Sequence, residues 1–422
     1  MFGEAKVQTE IDGEKEMLET SIVQAMGKNK YGNLVETELK EKLNNNLGKT
    51  EENGVKITAE NNNFFVTFPD SNRTYLVDED GNSRKIDWIK TTDKNGNNIL
   101  TNGKTMLTIG DYIIYDPNSN GEHTYTAETD KTGVSGEGQT FSTANTPTSW
   151  RVLGIEYETD GDYLVIIPSS PIQSTLQSDL ALRGGTGYQY GVEEIKNICK
   201  IYGNGQGAAS SRAMEIEDVN KITGYNPLKT GDGTVFRKGK LFEYNSSFTV
   251  KDIYPYNITY TNGTTWQWGY SSFLYWSENN KIENARDTKT ATLVSSFYEY
   301  YPTTLTENAT GETKGISSSS KEYSMLFRNK KYLLASVYAN GGGESTNMSN
   351  MFINGLFCIQ NNAVSPGANP YAPSSYNNYL FYAGNPNCTQ SGALMPIVYL
   401  KSDIILESTG NIIDGCNEWK IN

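Results

Sequence analysis

The sequence predicts an α+β fold: a long N-terminal helix packed on a small antiparallel sheet, followed by a large α+β domain with long loops. Helical periodicity at the N-terminus and short alternating strands behind it are two observations that predict this fold. The third is a composition with 40 Gly and 28 Tyr in 422 residues, which favours short strands and turns over long helices. We expect a first domain over 1–90, a linker over 91–105 and a second domain over 106–422.

The N-terminal residues 2–30 have the pattern of an amphipathic helix, with apolar side chains at helical spacing between acids and lysines. The apolar positions are Val7, Ile11, Leu18, Ile22 and Met26. A second, shorter helix is predicted over Glu36–Leu47, because its leucines step by four residues. Gly48 is a natural C-terminal stop for that helix.

Three short strand patterns follow the two helices, "VKITA", "NFFVTFP" and "TYLVDEDGNSRKIDW". The last is predicted to be a hairpin, because "DEDGNS" supplies an Asp-Gly turn. Together they predict a small antiparallel meander that ends near Trp88.

The polar, glycine-containing segment Thr91–Thr105 is predicted to be the linker. Its "DKNGNN" resembles the start of a calcium-binding loop. The glycine comes one position too early, however, and Lys104 stands where such a loop needs a bidentate Glu. We therefore predict no calcium site here.

From Met106 onward the chain alternates strands with few helices. Strands are predicted in "DYIIYDP", "SWRVLGIEYE", "DYLVIIPSS", "YLLASVYA", "MFINGLFCIQ" and "MPIVYLKSDIIL", and helices in "GVEEIKNICKIYG" and "MEIEDVNKITG". No break in composition divides 106–422, which predicts one large domain. The polar "GETKGISSSSKEYS" is the segment expected to form an exposed loop.

Charge and motif content argue against several classes of function. A net charge of -13 argues against binding to nucleic acid or to anionic membranes, which need basic patches. The single histidine, His123, lies in a turn-like segment, and HExxH, P-loop and GxSxG motifs are absent. We predict that the chain is not an enzyme and assign no catalytic residue, no metal ligand and no cofactor.

The four cysteines leave two interpretations open. None forms a CxxC pair, which argues against a zinc site. Three of the four fall in the last 65 residues, which suits one extracellular disulfide, but four buried free thiols are an equal alternative. These residues are Cys199, Cys358, Cys388 and Cys416.

Two features keep a carbohydrate-related function open. With 49 acidic residues, a pair of carboxylates suited to glycoside hydrolysis could exist, although the sequence singles none out. The segment "TTWQWGYSSFLYWSE" concentrates aromatic side chains, which stack on ligands or pack in a core. Its aromatic residues are Trp266, Trp268, Tyr270, Phe273, Tyr275 and Trp276.

An uncharged, asparagine- and tyrosine-rich segment lies between two strand patterns near the C-terminus. Of the 27 residues of Asn361–Asn387, seven are Asn, four are Tyr and none is charged. Tyr gives large contact area for little lost entropy, and Asn and Ser give adaptable hydrogen bonds, as in antibody paratopes. The alternative is an inert surface loop whose path is fixed by Pro366, Pro370 and Pro373.

Two parts of the chain resemble known families. "MFGEAKVQTEIDGEKEMLETSIVQAMGKNKYGNLVETELKEKLNN" and "FFVTFPDSNRTYLVDEDGN" resemble the mature head of type IV pilin-like surface proteins of Firmicutes. In that family an apolar helix anchors the protein in the membrane and continues into the amphipathic helix. This sequence does not contain that helix, so we expect a truncated chain. The resemblance implies assembly contacts with other pilin subunits through Val7, Ile11, Leu18 and Ile22.

The second resemblance covers most of the C-terminal part. "TIGDYIIYDP", "SWRVLGIEY", "YLLASVYAN" and "ALMPIVYLKSDI" resemble clostridial surface domains that look like C-type lectin folds. These include the variable proteins of diversity-generating retroelements. In such proteins variation concentrates before a closing strand such as "MPIVYLKS". The variation arises by adenine-directed mutagenesis of AAC-type codons, which cannot produce Lys, Glu, Gln, Met or Trp. None of these five occurs in Asn361–Asn387, and no charged residue occurs from Ser345 to Leu400.

The resemblance implies a display scaffold that binds an extracellular protein or glycan. The C-type lectin tripeptides EPN, QPD and WND are absent, so no calcium-dependent sugar site is expected. The predicted ligand contacts are Asn340, Asn347, Asn361, Asn362, Asn369, Tyr371, Tyr376, Asn377, Asn378, Tyr379, Tyr382, Asn385 and Asn387.

The expected function is that of a pilin-like adhesin or receptor on the cell surface or pilus of a Gram-positive bacterium, with a hypervariable C-terminal surface. Membrane contact is expected only through the N-terminal segment that this sequence does not contain. One alternative is a carbohydrate-binding or carbohydrate-active protein that uses the Trp266–Trp276 aromatics. The other is a structural minor pilin without a ligand.

Overall fold

The computed structural model of the chain divides into two compact units. The structure describes residues 2–28, 33–60, 62–93, 96–158, 161–223, 237–243, 258–259, 265–266, 292–299, 320–341, 351–360, 363–366, 381–383 and 389–422. Unit 1 comprises Met1–Leu107 and Ile155–Tyr163, and unit 2 comprises Thr108–Gly154 and Leu164–Asn422.

Both helices predicted for the N-terminal part are confirmed in unit 1. Helix α1 spans Phe2–Lys28 and helix α2 spans Glu36–Leu47. Helix α2 ends at Gly48, whose φ of 65° is left-handed and whose N–H bonds the carbonyls of Asn44 and Asn45. Glycine adopts this conformation without the penalty of a Cβ atom, which explains why the helix stops there.

Two antiparallel sheets follow the helices in unit 1. Strands β1 to β4 form a meander in chain order, as the sequence predicted, and β5 to β7 form a second sheet. The strands are β1 (Lys56–Glu60), β2 (Asn63–Thr67), β3 (Thr74–Val77), β4 (Ser83–Ile86), β5 (Ile89–Thr92), β6 (Asn98–Thr101) and β7 (Met106–Leu107).

One face of the β1–β4 meander packs against the two helices and forms the core of unit 1. Leu18 and Ile22 of α1 lie in the same buried cluster as Val66, Tyr75 and Val77 of the sheet. The period of two along each strand places these sheet residues on one face. Burying each such side chain stabilises the fold by about 1.5–3 kcal/mol.

The segment Thr91–Thr105, predicted to be a linker, contains the end of β5 and all of β6. Between β5 and β6, Asp93 accepts the same hydrogen bonds as Asp78 of the β3–β4 hairpin. Each carboxylate accepts bonds from the backbone and the side-chain amide of an Asn four residues later: Asn82 on Asp78, and Asn97 on Asp93. The structure therefore has sheet pairing where the composition predicted a free connection.

The remaining strands begin with β8 at the start of unit 2. The predicted strands "SWRVLGIEYE" and "MFINGLFCIQ" are confirmed with their full lengths as β11 and β20. The strands are β8 (Tyr112–Ile114), β9 (Thr124–Thr126), β10 (Thr140–Ser142), β11 (Ser149–Glu158), β12 (Gly161–Pro168), β13 (Leu180–Arg183), β14 (Ala208–Ala213), β15 (Arg237–Glu243), β16 (Ile258–Thr259), β17 (Thr265–Trp266), β18 (Thr292–Glu299), β19 (Tyr332–Gly341), β20 (Met351–Gln360), β21 (Ala363–Pro366), β22 (Phe381–Ala383), β23 (Thr389–Leu394), β24 (Pro396–Lys401), β25 (Leu406–Ile413) and β26 (Cys416–Ile421).

Two large sheets organise these strands within the described ranges. One has seven strands in the order β14-β24-β12-β11-β8-β26-β25. The other has eight strands, with the path β13-β23-β19-β18-β15 and with β20 pairing β19, β21 and β22. Short two-stranded sheets pair β9 with β10 and β16 with β17.

Four further helices accompany these sheets in the described part of the chain. Both helices predicted for this region are confirmed as α4 and α5, although α4 begins earlier than its sequence pattern indicated. They are α3 (Thr129–Thr132), α4 (Gly184–Lys200), α5 (Ile216–Thr223) and α6 (Lys321–Leu326). Helix α6 begins inside the predicted loop "GETKGISSSSKEYS" and ends two residues after it; residues 311–319 of that loop lie outside the described residues.

The chain is thus a mixed helix-and-sheet protein of the broad α+β class, with an N-terminal helix and several sheets. No helix in the described part of the chain is both long enough and apolar enough to cross a membrane.

Candidate functional site

The structure describes the backbone of two of the thirteen predicted ligand contacts. Asn340 belongs to β19 and Tyr382 belongs to β22. The strands β21 and β22 both fall within the segment Asn361–Asn387. The other predicted contacts lie outside the described residues: Asn347, Asn361, Asn362, Asn369, Tyr371, Tyr376, Asn377, Asn378, Tyr379, Asn385 and Asn387.

Asn340 and Tyr382 flank the same residue of the central strand β20. In the antiparallel pair β19–β20, Asn340 is the partner of Phe352, and in the parallel pair β20–β22, Phe352 is the partner of Tyr382. Neighbouring strands lie ~4.8 Å apart, so the backbones of Asn340 and Tyr382 are about 10 Å apart. Two predicted contacts that are distant in sequence therefore belong to one row of the sheet.

A buried side-chain amide anchors β20 beside this row. The Nε2 group of Gln390 donates to the carbonyl of Leu356, and the N–H of Leu356 donates to Oε1 of Gln390, both at 2.8 Å. Gln390 is 2% exposed and Leu356 is fully buried. The amide reproduces the donor and acceptor of a neighbouring strand, and it leaves neither backbone group of Leu356 unsatisfied. The sequence analysis did not identify this residue.

The closing strand "MPIVYLKS" is held by a polar cluster. The guanidinium of Arg212 on β14 makes two bonds of 2.6 Å to the carboxylate of Asp218 on α5 and one of 2.7 Å to the hydroxyl of Tyr399 on β24. Burial acts to lower the pKa of Arg212, but the bonds to Asp218 outweigh it and raise the pKa. This geometry connects an edge strand, a helix and a strand that comes after the segment Asn361–Asn387.

The buried carboxylates of unit 2 have structural partners. Glu194, which is fully buried, accepts bonds from the hydroxyl of Tyr125 and from the backbone N–H of Glu128. Asp111, also fully buried, accepts bonds from Thr108 and from the N–H of Asn417. Such bonds hold each carboxylate in a fixed position. Among the described residues, no group of three or more His, Cys, Asp or Glu could hold a metal ion.

Lys330 has a buried amine that the sequence analysis did not identify. The ammonium of Lys330 donates a 2.6 Å bond to the carbonyl of Ser169. Burial, followed by the nearby charge of Arg151, lowers the pKa of Lys330 to about 8. Only the tertiary structure places two cationic side chains close together, so nothing in the local sequence could have indicated this shift.

The aromatic segment Trp266–Trp276 is described only at its start. Trp266 ends β17 and pairs with Ile258 of β16. Trp268, Tyr270, Phe273, Tyr275 and Trp276 lie outside the described residues.

Three of the four cysteines are buried and form no disulfide among the described residues, namely Cys199, Cys358 and Cys416. Cys388 lies outside the described residues. Burial raises the pKa of the Cys199 thiol well above its ordinary value. The sequence left open a disulfide or four buried thiols, and these three positions have buried thiols without a disulfide.

The predicted assembly residues divide into two groups in the structure. Leu18 and Ile22 are 0% and 3% exposed and belong to the core of unit 1, whereas Val7 is 48% exposed. Ile11 is half-buried. Packing against the sheet buries Leu18 and Ile22, whereas Val7 and part of Ile11 remain exposed on the helix.

Comparison with known proteins gives no match of this chain to a family model, to a curated protein or to a solved structure.

Proposed function

We propose that the chain is a surface-displayed, type IV pilin-like protein whose C-terminal, C-type-lectin-like part binds an extracellular ligand. The ligand contacts are the Asn and Tyr side chains of the segment Asn361–Asn387 together with Asn340. The observation that carries the proposal is the row in which Asn340 and Tyr382 flank Phe352 on three adjacent strands.

The surroundings of that row support a rigid display surface. Strand β20 is anchored by the buried amide of Gln390. Strand β24, which follows the segment, is held by the cluster of Arg212, Asp218 and Tyr399. A binding surface on a pre-organised scaffold loses less conformational entropy when the ligand binds.

The composition of the segment supports recognition by neutral polar and aromatic side chains. It has no charged residue, so a ligand would not bury an unpaired ion there. The tyrosines provide the anchors, and the asparagines provide hydrogen bonds that adapt to different partners. The packing of α1 on a four-stranded antiparallel meander supports the pilin-like part of the proposal.

The binding experiment compares the wild type with two variants on a glycan array and on immobilised mucin and extracellular-matrix proteins. The first variant replaces Tyr376, Tyr379 and Tyr382 with Ser. The matched control replaces Ile405 and Ile412 with Ser; these side chains are 66% and 72% exposed elsewhere in unit 2. We expect at least one ligand whose binding falls more than tenfold in the first variant and is unchanged in the control.

Other outcomes would support the alternatives. Absence of binding by all three proteins would favour a structural minor pilin without a ligand, and equal binding by all three would put the ligand site outside Asn361–Asn387. A further variant, Trp268→Ala, tests the aromatic segment Trp266–Trp276. Loss of all binding in this variant would indicate that the site lies in that segment. Sister copies of the gene test the variable-receptor part of the proposal, which requires their differences to concentrate between Asn340 and Asn387.

A further inference from the structure

The face of the β1–β4 meander that points away from the helices carries an aromatic pair. Phe65 of β2 meets Tyr157 edge-to-face, with ring centroids 5.0 Å apart and an interplanar angle of 61°. The hydroxyl of Tyr157 donates a 3.1 Å bond to the carbonyl of Trp88, which fixes the direction of the ring. All three residues belong to unit 1, and both rings of the pair are only half-buried.

Tyr157 separates two clefts on this face. The first has a volume of about 400 Å³ and is lined by Thr58, Thr67 and Lys56, among others. The second has a volume of about 390 Å³ and is lined by Asn63 and Arg84, among others. Each volume falls in the range of about 300–1,000 Å³ that is typical of small-molecule sites. Because Tyr157 lines both clefts, one elongated molecule could contact its ring from either side.

Polar groups surround the aromatic pair in the first cleft. Lys56 forms no ion pair with the described residues, and the ammonium of Lys90 lies 3.1 Å from the carboxylate of Glu60. The register places Thr58 opposite Phe65 and Lys56 opposite Thr67. Hydroxyls, ammonium groups and a carboxylate therefore lie around a partly exposed aromatic ring.

The second cleft has the same mixture of polar groups. The hydroxyl oxygen of Ser83, which lines it, is buried and has no hydrogen-bond partner among the described residues. The guanidinium of Arg84 donates to the carbonyl of Gly161 at 2.9 Å. Glu158 adds an exposed carboxylate. A buried hydroxyl without a partner is energetically unfavourable, and a ligand group that bonds the hydroxyl of Ser83 would remove part of that cost.

We propose that these two clefts form one binding site for a linear oligosaccharide, centred on Tyr157. A sugar ring has an apolar C–H face, which packs on an aromatic ring, and a rim of hydroxyls that both donate and accept hydrogen bonds. The clefts provide that combination: an aromatic centre with neutral polar and charged groups of both signs around it. A peptide that adds as a further strand would depend instead on main-chain hydrogen bonds to β1, which is an edge strand of the meander, so strand addition is the alternative that the test separates.

This site is independent of the proposed function, since it uses only unit 1 and no residue of Asn361–Asn387. The two proposals can therefore fail separately.

The test measures binding of the full chain to four tetrasaccharides by isothermal titration calorimetry: chitotetraose, cellotetraose, maltotetraose and a hyaluronan tetrasaccharide. The main variant, Thr58→Trp, fills the first cleft from an exposed strand position where aromatic residues are well tolerated. The matched control is Thr124→Trp, an exposed strand position in unit 2. A second variant, Tyr157→Ala, removes the aromatic centre.

We expect at least one tetrasaccharide to bind with a dissociation constant below about 1 mM, to lose binding in Thr58→Trp, and to keep it in Thr124→Trp. Tyr157→Ala should weaken that binding at least tenfold. The proposal is overturned if none of the four binds, or if binding survives Thr58→Trp. A fifth probe is the extended peptide acetyl-Glu-Val-Glu-Val-Glu-Val-amide. The proposal is also overturned if this peptide binds, Thr58→Trp blocks its binding, and no tetrasaccharide binds, since that result would indicate strand addition.

Discussion

Arg73 and Glu14 form a two-pronged ion pair that connects helix α1 to the start of strand β3. The Nε and Nη2 groups of Arg73 lie 2.8 Å and 3.0 Å from the two carboxylate oxygens of Glu14. The hydroxyl of Tyr75 adds a 2.9 Å bond to the same carboxylate. The side chains of Arg73 and Glu14 are only 17% and 15% exposed, so water screens this pair much less than a surface pair. It is a polar anchor for the long helix.

Replacing Glu14 should destabilise the protein. We expect Glu14→Gln to lower the free energy of unfolding by about 1.5 kcal/mol, because it weakens charge-assisted hydrogen bonds to Arg73 and Tyr75. The matched control is Glu19→Gln in the same helix; Glu19 pairs with Lys15 at 3.8 Å, and both side chains are more than half exposed. That variant should leave stability nearly unchanged. Equal losses in urea denaturation of the two variants would contradict the role of the Arg73–Glu14 pair.

The same carboxylate should contribute to acid unfolding. Burial acts to raise the pKa of Glu14, but hydrogen bonds from Arg73, Ser71 and Tyr75 outweigh it and hold the pKa below its ordinary value of 4.5. A group whose pKa is lowered by folding stabilises the native state above the unfolded-state pKa, and this stability is lost as pH falls through the folded-state value. The stability difference between wild type and Glu14→Gln should therefore shrink below pH 4.5. A difference that stays constant down to pH 3 would exclude this linkage.

Lys330 should make the stability of the protein depend on pH in the alkaline range. Burial is the main cause that lowers the pKa of Lys330 from 10.5 to about 8, and the positive charge of Arg151 lowers it further in the same direction. Between these two values the unfolded chain binds more protons than the native state, so the contribution of Lys330 to stability becomes more favourable as pH rises. Relative to Lys330→Met, the wild type should gain stability from pH 8 to pH 10.5. The neighbouring Lys331→Met, whose side chain is 51% exposed and paired with Asp179, should show no such gain.

Gln390 should stabilise β20 locally. Replacing it with Ala leaves the N–H and the carbonyl of Leu356 buried without partners, which costs about 2–4 kcal/mol. We expect the amide of Leu356 to exchange its hydrogen much faster in Gln390→Ala. Gln139 makes comparable bonds to the backbone of Ala181 and Asp179, so Gln139→Ala is the matched control. Faster exchange at Leu356 in the control as well would mean that the effect is global rather than local.

Cys199 should be unreactive in the native protein. The thiol is completely buried, and burial raises its pKa, so almost no thiolate is available at pH 8. Iodoacetamide should modify Cys199 in denaturant and leave it unmodified in buffer, as judged by peptide mass spectrometry. A disulfide involving Cys199, or rapid modification of the native chain, would contradict the structure.

The two Asp-to-Asn turns show how far local pattern reading extends. "DEDGN" between clear strand patterns predicted a hairpin, and the structure confirms it. In "DKNGN" Asn97 bonds Asp93 in the same way as Asn82 bonds Asp78, but the residues around it are polar and glycine-containing, and the sequence predicted a linker there. The turn chemistry was present in both sequences. Only the second pair of strands lacked the apolar alternation that identifies a strand.

The sequence by itself determined the elements whose signal is local. Helix α2 and its end at Gly48, the meander of unit 1 and the strands β11 and β20 follow from periodicity and turn residues, which act over a few neighbouring positions. The tertiary structure alone decided which distant residues meet: Tyr157 with Phe65, Gln390 with Leu356, and Asn340 with Tyr382 across Phe352. These contacts depend on strand order and register, because burial and backbone pairing are satisfied over the whole fold, and no local pattern specifies them.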